Sequence, residues 1–356
     1  LCDEQEEMGG SLLAETRATI DGLPAADWAA GVLADLRGRA NVRLMPRTQA
    51  FGYYAQNLIG LAEIVSEAER AMHADAPRER MWQVRAKEVV IAAGAIERTL
   101  VFPDNDRPGV MLADAARTYL NRYGAKVGDR VVVATAHDSA YRAALDLKAA
   151  GVEVALIADL RKCADGPLPQ AARAAGLRVI TSAVIHSAQG KARVSGVKVS
   201  GAGMAAESVA CDALLMCGGW TPSVHLYSQS RGKVVWDEAR GQFLPGPSVQ
   251  RERSAGACRG VFGLAAVLAE GASAGAEAAA KAGFPAAAPA ALNVENAPEA
   301  EGGTMGDQSP PDGLKAKAFV DFQNDVCAKD IRLAVQEGMR SIEHVKRYTT
   351  TGMATD

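Results

Sequence analysis

The segment from Gly128 to Asp159 constrains the fold of this chain more than any other. Arg130 to Ala134 is a short apolar run with the look of a buried strand, and Ser139 to Ala150 has helical spacing. Gly151 stops that helix, and Val152 to Ala158 is a second apolar run that ends in Asp159. Strand, helix, parallel strand and terminal acid at this spacing form a βαβ unit of the nucleotide-binding kind. The turn after the first strand departs from the phosphate-binding pattern G-x-G-x-x-G. Its equivalent positions are Ala134, Ala136 and Ser139, all small and none glycine. A tight turn is possible there, but close approach of a pyrophosphate is impaired. The expectation is a nucleotide fold that has lost its nucleotide, with His137 a solvated loop residue.

A second strand end makes the opposite case. Lys87 to Met111 reads KEVVIAAGAIERTLVFPDNDRPGVM. Val89 to Ile91 breaks into Ala92-Ala93-Gly94-Ala95, four residues with almost no side chain, so a ligand can approach the backbone. Near the N-terminus, Asp3 and Glu4 precede Gly9-Gly10-Ser11. An acid at the end of the second strand of a dinucleotide fold accepts hydrogen bonds from ribose hydroxyls. No arginine stands beside Asp3 and Glu4 in sequence to welcome a 2′-phosphate, which favours NAD or FAD over NADP. Gly256-Ala257 precedes a helix-like stretch from Val261 to Ala280 and carries no carboxylate. Flavin-binding proteins that this region resembles carry a Gly-Asp pair here whose carboxylate contacts the ribityl chain, so Ala257 argues against a flavin and leaves a simpler dinucleotide.

Around these two regions the chain reads as α/β. Asp27 to Gly38 is helical, with Trp28, Val32, Leu33 and Leu36 on one face. Val42 to Met45 is a short strand, and Phe51 to Val65 and Met81 to Ile91 are strands about a polar loop at Glu67 to Arg80. Further strands lie near Arg178 to Ser182, Val194 to Val199 and Leu214 to Gly219. Residues 286–313 are rich in Ala, Pro, Gly and acids, as in a linker. Lys315 to Tyr348 is helical, with Ile331, Val335, Met339 and Ile342 on a shared face. The expected division is a first dinucleotide lobe at 1–111, a second lobe at 112–216 and a return to the first at 217–285. A linker at 286–314 and a small helical segment at 315–356 complete it. Asp3-Glu4 and the final Thr-rich stretch both look cut, as in an interior fragment of a longer protein.

Composition removes several function classes. The chain has 356 residues, a net charge of -3 and 48% hydrophobic residues, which gives no reason to expect a nucleic-acid partner. No run is apolar and long enough to span a bilayer. The six cysteines include no C-x-x-C pair and no structural-zinc spacing, as expected in a reducing cytoplasm. Cys327, alone in the last segment, cannot supply the four ligands of a [2Fe–2S] cluster. The four tryptophans read as core residues. No Ser-His-Asp, Cys-His or paired-carboxylate arrangement can be placed, so no catalytic residue is assigned.

Five segments carry a resemblance: CDEQEEMGGSLL, MPRTQAFGYY, IAAGAIERTLVFPDNDRPGVM, MCGGWTPSVHL and DVCAKDIRLAVQEGMRSIEHVKRYTTTGMATD. Together they resemble the alpha subunits of heterotetrameric sarcosine oxidases, over nearly the whole chain. The resemblance implies two dinucleotide-binding-type lobes of the FAD/NAD(P)-binding, disulfide-reductase-like class, followed by a linker and a small helical segment. It implies NAD in this chain, with FAD and FMN in a beta subunit and tetrahydrofolate in a further C-terminal domain. Beta, gamma and delta subunits would be partners. The complex would demethylate sarcosine to glycine, producing hydrogen peroxide and methylene-tetrahydrofolate. Asp3, Glu4 and Gln5 would lie at the adenosine ribose, with Ser11 beside them. Ala50 would line the adenine side, and Ala257, Phe262 and Leu264 would close over the rest. Thr99 stands where proline is usual, and Cys258 and Cys327 replace small polar residues. Opine oxidases and hydrogen cyanide synthase subunits share part of the pattern but would keep a flavin. A scaffold subunit with architectural NAD is the alternative of another class. The truncated sheet leads to the expectation that this stretch alone binds NAD weakly or not at all.

Overall fold

The computed structural model describes residues 1–73, 75–285, 288–289, 291–298, 300 and 316–353. The linker expected at 286–314 lies largely outside them. Contacts divide the chain into two compact units, Leu1–Ile96 with Thr221–Glu299 and Glu97–Trp220 with Ala300–Asp356.

The first unit opens with an extended stretch. Cys2 bridges Met45 in parallel, the Asp3 N–H donates to the Met45 carbonyl, and the Thr48 N–H donates to the Asp3 carbonyl. Residues 42–44 form no strand of their own, so the expected strand reduces to this one bridge. Helix α1 (Ala25–Arg37) follows Pro24 and buries Ala25 and Ala29, while Val32 stays exposed. Strands β1 (Thr48–Tyr54), β2 (Leu58–Ile64) and β3 (Glu79–Arg85) form an antiparallel sheet in sequence order. The region read as one strand from Phe51 to Val65 is therefore a hairpin, turned by Gln56 and Asn57 at positive φ. The loop expected at 67–80 holds a short helix, Glu67–Met72, capped by Ser66 Oγ. Strand β4 (Val89–Ile91) leads into the Ala-Ala-Gly-Ala turn.

The second unit is built on five parallel strands. They are β5 (Val110–Leu112), β6 (Arg130–Thr135), β7 (Glu153–Asp159), β8 (Val179–Ile180) and β9 (Ala213–Cys217), in spatial order β8-β7-β6-β9-β5. Helices α2 (Ala113–Tyr123) and α3 (Ser139–Ala149) supply crossovers. Side chains alternate along β6. Val131 and Val133 join Ala116, Ala144, Leu147 and Leu215 in one buried cluster, and Val132 joins Leu156, Leu214, Val197 and Val199 in another. Both faces of the sheet are covered, so its strands are continuously apolar rather than alternating. Each fully buried Val or Leu contributes roughly 1.5–3 kcal/mol. The second cluster draws on an antiparallel sheet, Val184–Gly190, Val194–Gly201 and Met204–Ala210.

The chain then returns to the first unit. Strand β10 (Glu252–Ser254) pairs with β4 in parallel, Ser254 opposite Ile91. Helix α4 (Leu264–Lys281) follows a 3₁₀ turn at Gly256–Arg259.

The last segment differs from its expected form. It opens with a hairpin, Phe319–Asp321 against Val326–Cys327. Two helices follow, α5 (Ala328–Gln336) and α6 (Ile342–Thr349). Gly338, at φ 89°, ends α5 with Met339 N–H on the Ala334 carbonyl. That break separates Ile342 from α5, and within α5 the buried position is one residue before Val335. Ala334 and Val345 are the buried residues, while Val335 and Ile342 are exposed. Cys327 is buried at the start of α5, as packing required.

Candidate functional site

In the first unit, the carboxyl ends of β4 and β10 lie side by side, where parallel α/β sheets receive ligands. Ala92 and Ala93 are exposed there, and Gly94 has φ 70°. A Cβ built on Gly94 would meet no atom outside its chain neighbours within 4 Å. Cys258 Sγ donates to the Ile91 carbonyl at 3.2 Å and to the Ala255 carbonyl at 3.3 Å, tying the two strand ends together. Ala257 and Phe262 are half-buried in the connection to α4. The N-terminus of this 18-residue helix, beginning at Leu264, has no side-chain cap. Its first N–H groups are suited to an anion.

The N-terminal residues form a second group in the same unit. Asp3 Oδ1 accepts from the Gln5 N–H at 2.9 Å, so that carboxylate shapes its own turn. Glu4, Gln5, Gly10 and Ser11 are exposed, and Gly9 and Ala50 are half-covered. Gly9 has φ 142° and its Cβ would lie 2.9 Å from Leu13, whereas Gly10 faces open space. Leu12 and Leu264 pack on one cluster formed by Ala18, Ile20 and Ala25. This brings the double-glycine turn and the start of α4 onto one support. Cys2, Ala50 and Val89 pack on another, which contains Ile91 and Cys258. The candidate residues thus rest on two shared cores. The space, exposed carboxylate and uncapped helix fit a dinucleotide.

One expectation about this site needs correction. An arginine does reach the acidic turn: the Arg47 N–H donates to the Gln5 carbonyl, and its guanidinium pairs with Glu6. It is 41 residues from Glu6 in sequence and is brought close by the pairing of Cys2 and Asp3 with Met45 and Thr48. A further group escaped the sequence reading. Glu270, on α4, accepts from the Gly256 N–H at 2.6 Å and pairs with Arg259 at 2.7 Å. That N–H is engaged by protein.

The equivalent turn of the second unit is filled. His137 is not solvated: its Nδ1 lies 2.9 Å from Ser139 Oγ and accepts from the Ser139 N–H at 3.1 Å. Burial, with the charges of Arg161, Arg142 and Arg98, lowers its pKa to about 4. Asp159, the strand-end acid, is fully buried and accepts from Tyr141 Oη at 2.7 Å and from Arg161 Nη2 at 2.7 Å. Arg161 also bonds Asp138 at 2.6 Å. The acid that would hold a ribose is spent on an internal ion pair. Arg161 stands two residues after Asp159, a signal the sequence contained.

Glu97 is the other buried acid of this unit. Its Oε2 accepts from the Asp114 N–H at 3.0 Å, capping α2. Burial raises its pKa to about 8; the Cys217 thiol opposes this, and the Asp114 charge adds to it. Above pH 4.5 an unfolded chain ionises this carboxyl while the fold keeps it protonated. The stability it carries is therefore complete below about pH 4.5 and is lost as pH rises toward about 8. His137 acts in the other direction, its stability present above pH 6.5 and lost as pH falls toward about 4. Glu97→Gln is expected to stabilise the protein at pH 8 by about 2–4 kcal/mol and to change little near pH 4.5. Urea unfolding at the two pH values checks this; an equal gain at both would remove the linkage.

Among the described residues no group of three or more His, Cys, Asp or Glu could hold a metal ion, and no helix is long and apolar enough to cross a membrane.

Solved structures share the architecture. The L-proline dehydrogenase from P. horikoshii superposes with a TM-score of 0.72 at 19% identity, covering 99% of this chain and 65% of that one. The T. acidophilum thioredoxin reductase gives 0.54 at 17% identity, covering 79% and 88%. The fold is that of the FAD/NAD(P)-binding oxidoreductases. A family model, the sarcosine oxidase A3 domain, matches residues 315–356. The sarcosine oxidase alpha subunit of Rhizobium meliloti is 42% identical over 100% of this chain and 35% of its own length. That of Corynebacterium strain P-1 is 40% identical over 100% of this chain and 38% of its own length. The chain thus spans just over a third of the curated relatives it matches, and along its whole length it belongs to the sarcosine oxidase alpha-subunit family.

Proposed function

We propose that the first unit holds NAD and that the chain is the NAD-binding part of a sarcosine oxidase alpha subunit. The contrast between the two units carries the reading. At one nucleotide-fold strand end the turn is made of exposed Ala92 and Ala93 and an open Gly94. At the other the turn is packed with His137, and its acid is paired with Arg161. Glu4 and Gln5 would meet the adenosine ribose, Ala50 the adenine, and the uncapped start of α4 at Leu264 the pyrophosphate. Gly9, Gly10 and Ser11 leave the chain close and thin at the ribose side. Ala257, without a carboxylate, favours NAD over a flavin.

In the assembled enzyme, sarcosine would be oxidatively demethylated to glycine at a flavin of a beta subunit, which would carry FAD and FMN. Hydrogen peroxide and methylene-tetrahydrofolate would be the other products, the folate being held by a separate domain of the alpha subunit. Gamma and delta subunits would complete a cytoplasmic heterotetramer. NAD, when bound, would supply either a redox couple or a fixed architectural ligand. This chain's residues contribute binding and orientation, and none is assigned a catalytic role. Calorimetry on the intact complex stripped of nucleotide tests the reading. NAD is expected to bind, and Glu4→Ala to weaken it by about 1.5–3 kcal/mol, the worth of hydrogen bonds to a charged group. Stoichiometric FAD binding in place of NAD would reverse the cofactor assignment. If Glu4→Ala lowers assembly but not the turnover of assembled complex, NAD is architectural.

The Arg47–Glu6 pair bears on cofactor choice. Glu6→Gln frees the guanidinium beside the ribose turn, and the variant is expected to gain roughly tenfold in NADP affinity relative to NAD, about 1.4 kcal/mol. An unchanged ratio in paired titrations would show that Arg47 does not reach the 2′ position.

A further inference from the structure

The second unit contains a cleft of about 640 Å³ whose walls include Glu97, Asp114, Thr118, Tyr119, Tyr123 and Trp220. None of these is a candidate for the dinucleotide. One wall is a face of α2, where Tyr119 and Tyr123 are one turn apart with ring centroids at 6.3 Å. Both are exposed, at 49% and 62%. Trp220 contributes a third ring, its indole N–H held by Ser139 Oγ at 3.0 Å. Glu97 is 7% exposed. One of its oxygens caps α2, and the other, Oε1, is buried with no partner beyond the neighbouring Cys217 thiol, which interacts with this carboxyl. The neighbouring Cys217 thiol is a weak donor and lies 3.5 Å from Ser139 Oγ. Leaving a buried acceptor unpaired costs about 1–3 kcal/mol. The helix cap requires only one carboxylate oxygen, and the thiol is a weak partner for the second.

We propose that this cleft binds a small organic cation, an ammonium group on an apolar or aromatic body, with the ammonium nearest the Glu97 carboxyl and the body against Tyr119, Tyr123 and Trp220. Aromatic faces attract cations through their quadrupoles, and a buried carboxylate at the base supplies the counter-charge. The Asp114 carboxylate, joined by Glu97 once that group ionises, would repel a phosphate or carboxylate ligand, and no metal-binding cluster occurs among the described residues. Arg122 lies over Tyr123 at 5.2 Å and occupies that ring from one side, which leaves Tyr119 and Trp220 as the principal cation faces.

Entry of a cation changes the protonation of the site. Glu97 faces Asp114 from α2 and Cys217 from β9, and Arg98 follows it in the chain. Empty, it is protonated near neutral pH because burial disfavours its charge. A bound ammonium makes it ionise and one proton leaves to solvent. Affinity therefore rises with pH until Glu97 is ionised without help. The inference does not depend on NAD in the first unit.

The probe is phenyltrimethylammonium, whose charge cannot titrate, with neutral 2-phenyl-2-propanol as its comparator. Calorimetric titration of the full chain is expected to show affinity for the cation rising about tenfold or more between about pH 6.5 and pH 8.5, with proton release at the lower pH. The neutral comparator binds at least about tenfold more weakly and without pH dependence. Glu97→Gln abolishes the pH dependence. Tyr119→Leu, at an exposed position, lowers affinity severalfold with no change in melting temperature. Equal binding of the two probes, pH-independent affinity in the parent, unchanged binding by E97Q, or no binding at millimolar concentration would each overturn the proposal.

Discussion

Ala93→Trp should reduce NAD affinity at least about a hundredfold while leaving the melting temperature within a few degrees of the parent. Ala93 is exposed at the end of β4 and makes no core contact that an indole would disrupt. Its neighbour Gly94 has φ 70°, and a Cβ there would point into open space. Because Ala93 itself is exposed, a ring there can be accommodated, and in the proposed site it would overlap the dinucleotide. The expected loss exceeds that of Glu4→Ala, because overlap with a ligand removes every contact it makes rather than one. The measurement is NAD titration of the intact complex, paired with thermal unfolding of the same samples. Retained affinity in a folded variant would place NAD away from this turn and break the proposed site. The corresponding enlargement in the second unit, Ala136→Trp, is expected to behave oppositely. Ala136 is 1% exposed, so the ring has no room and stability falls.

How much of this was legible in the sequence depended on the range of the interaction. The βαβ unit at 130–159 was readable because apolar periodicity and the Gly151 stop are local. The tiny residues after Ile91 were readable for the same reason, since a turn open to a ligand needs no partner elsewhere in the chain. The Arg47–Glu6 pair was not, because it depends on a bridge between Cys2 and Met45. Glu97 was not legible because its partners, Asp114 and Cys217, are seventeen and 120 residues away. The tryptophans show the limit of composition. Trp28 and Trp82 pack against buried clusters, whereas Trp220 is part-buried with its N–H on Ser139 and Trp236 is 48% exposed. In the last segment the face read through Ile331 and Val335 fails within α5 itself, where Ala334 is buried and Val335 exposed, and Gly338 ends that helix before Ile342.

Arg161→Met should destabilise the protein by roughly 3–5 kcal/mol, the cost of breaking a buried charge pair from one side. The carboxylates of Asp138 and Asp159 are 1% and 0% exposed, and Arg161 bonds both. Methionine matches much of the length and apolar bulk of the arginine, so the loss comes from charge rather than from a cavity. Tyr141 Oη and the Arg161 backbone N–H, at 2.7 and 2.9 Å from Asp159, remain as donors but cannot neutralise two buried negative charges. Combining Arg161→Met with Asp138→Asn and Asp159→Asn should recover most of the loss, because the buried charges are then gone together. Urea unfolding measures both variants, with an unchanged m-value required for the comparison. A loss below about 1 kcal/mol for Arg161→Met would mean that water reaches the cluster. Neither variant should acquire NAD binding in the second unit, since His137 still fills the phosphate turn and the first β-turn glycines are absent. This separates two consequences of one arginine. It holds the strand ends of the second sheet together, and by occupying Asp159 it removes the ribose acceptor that a nucleotide would require.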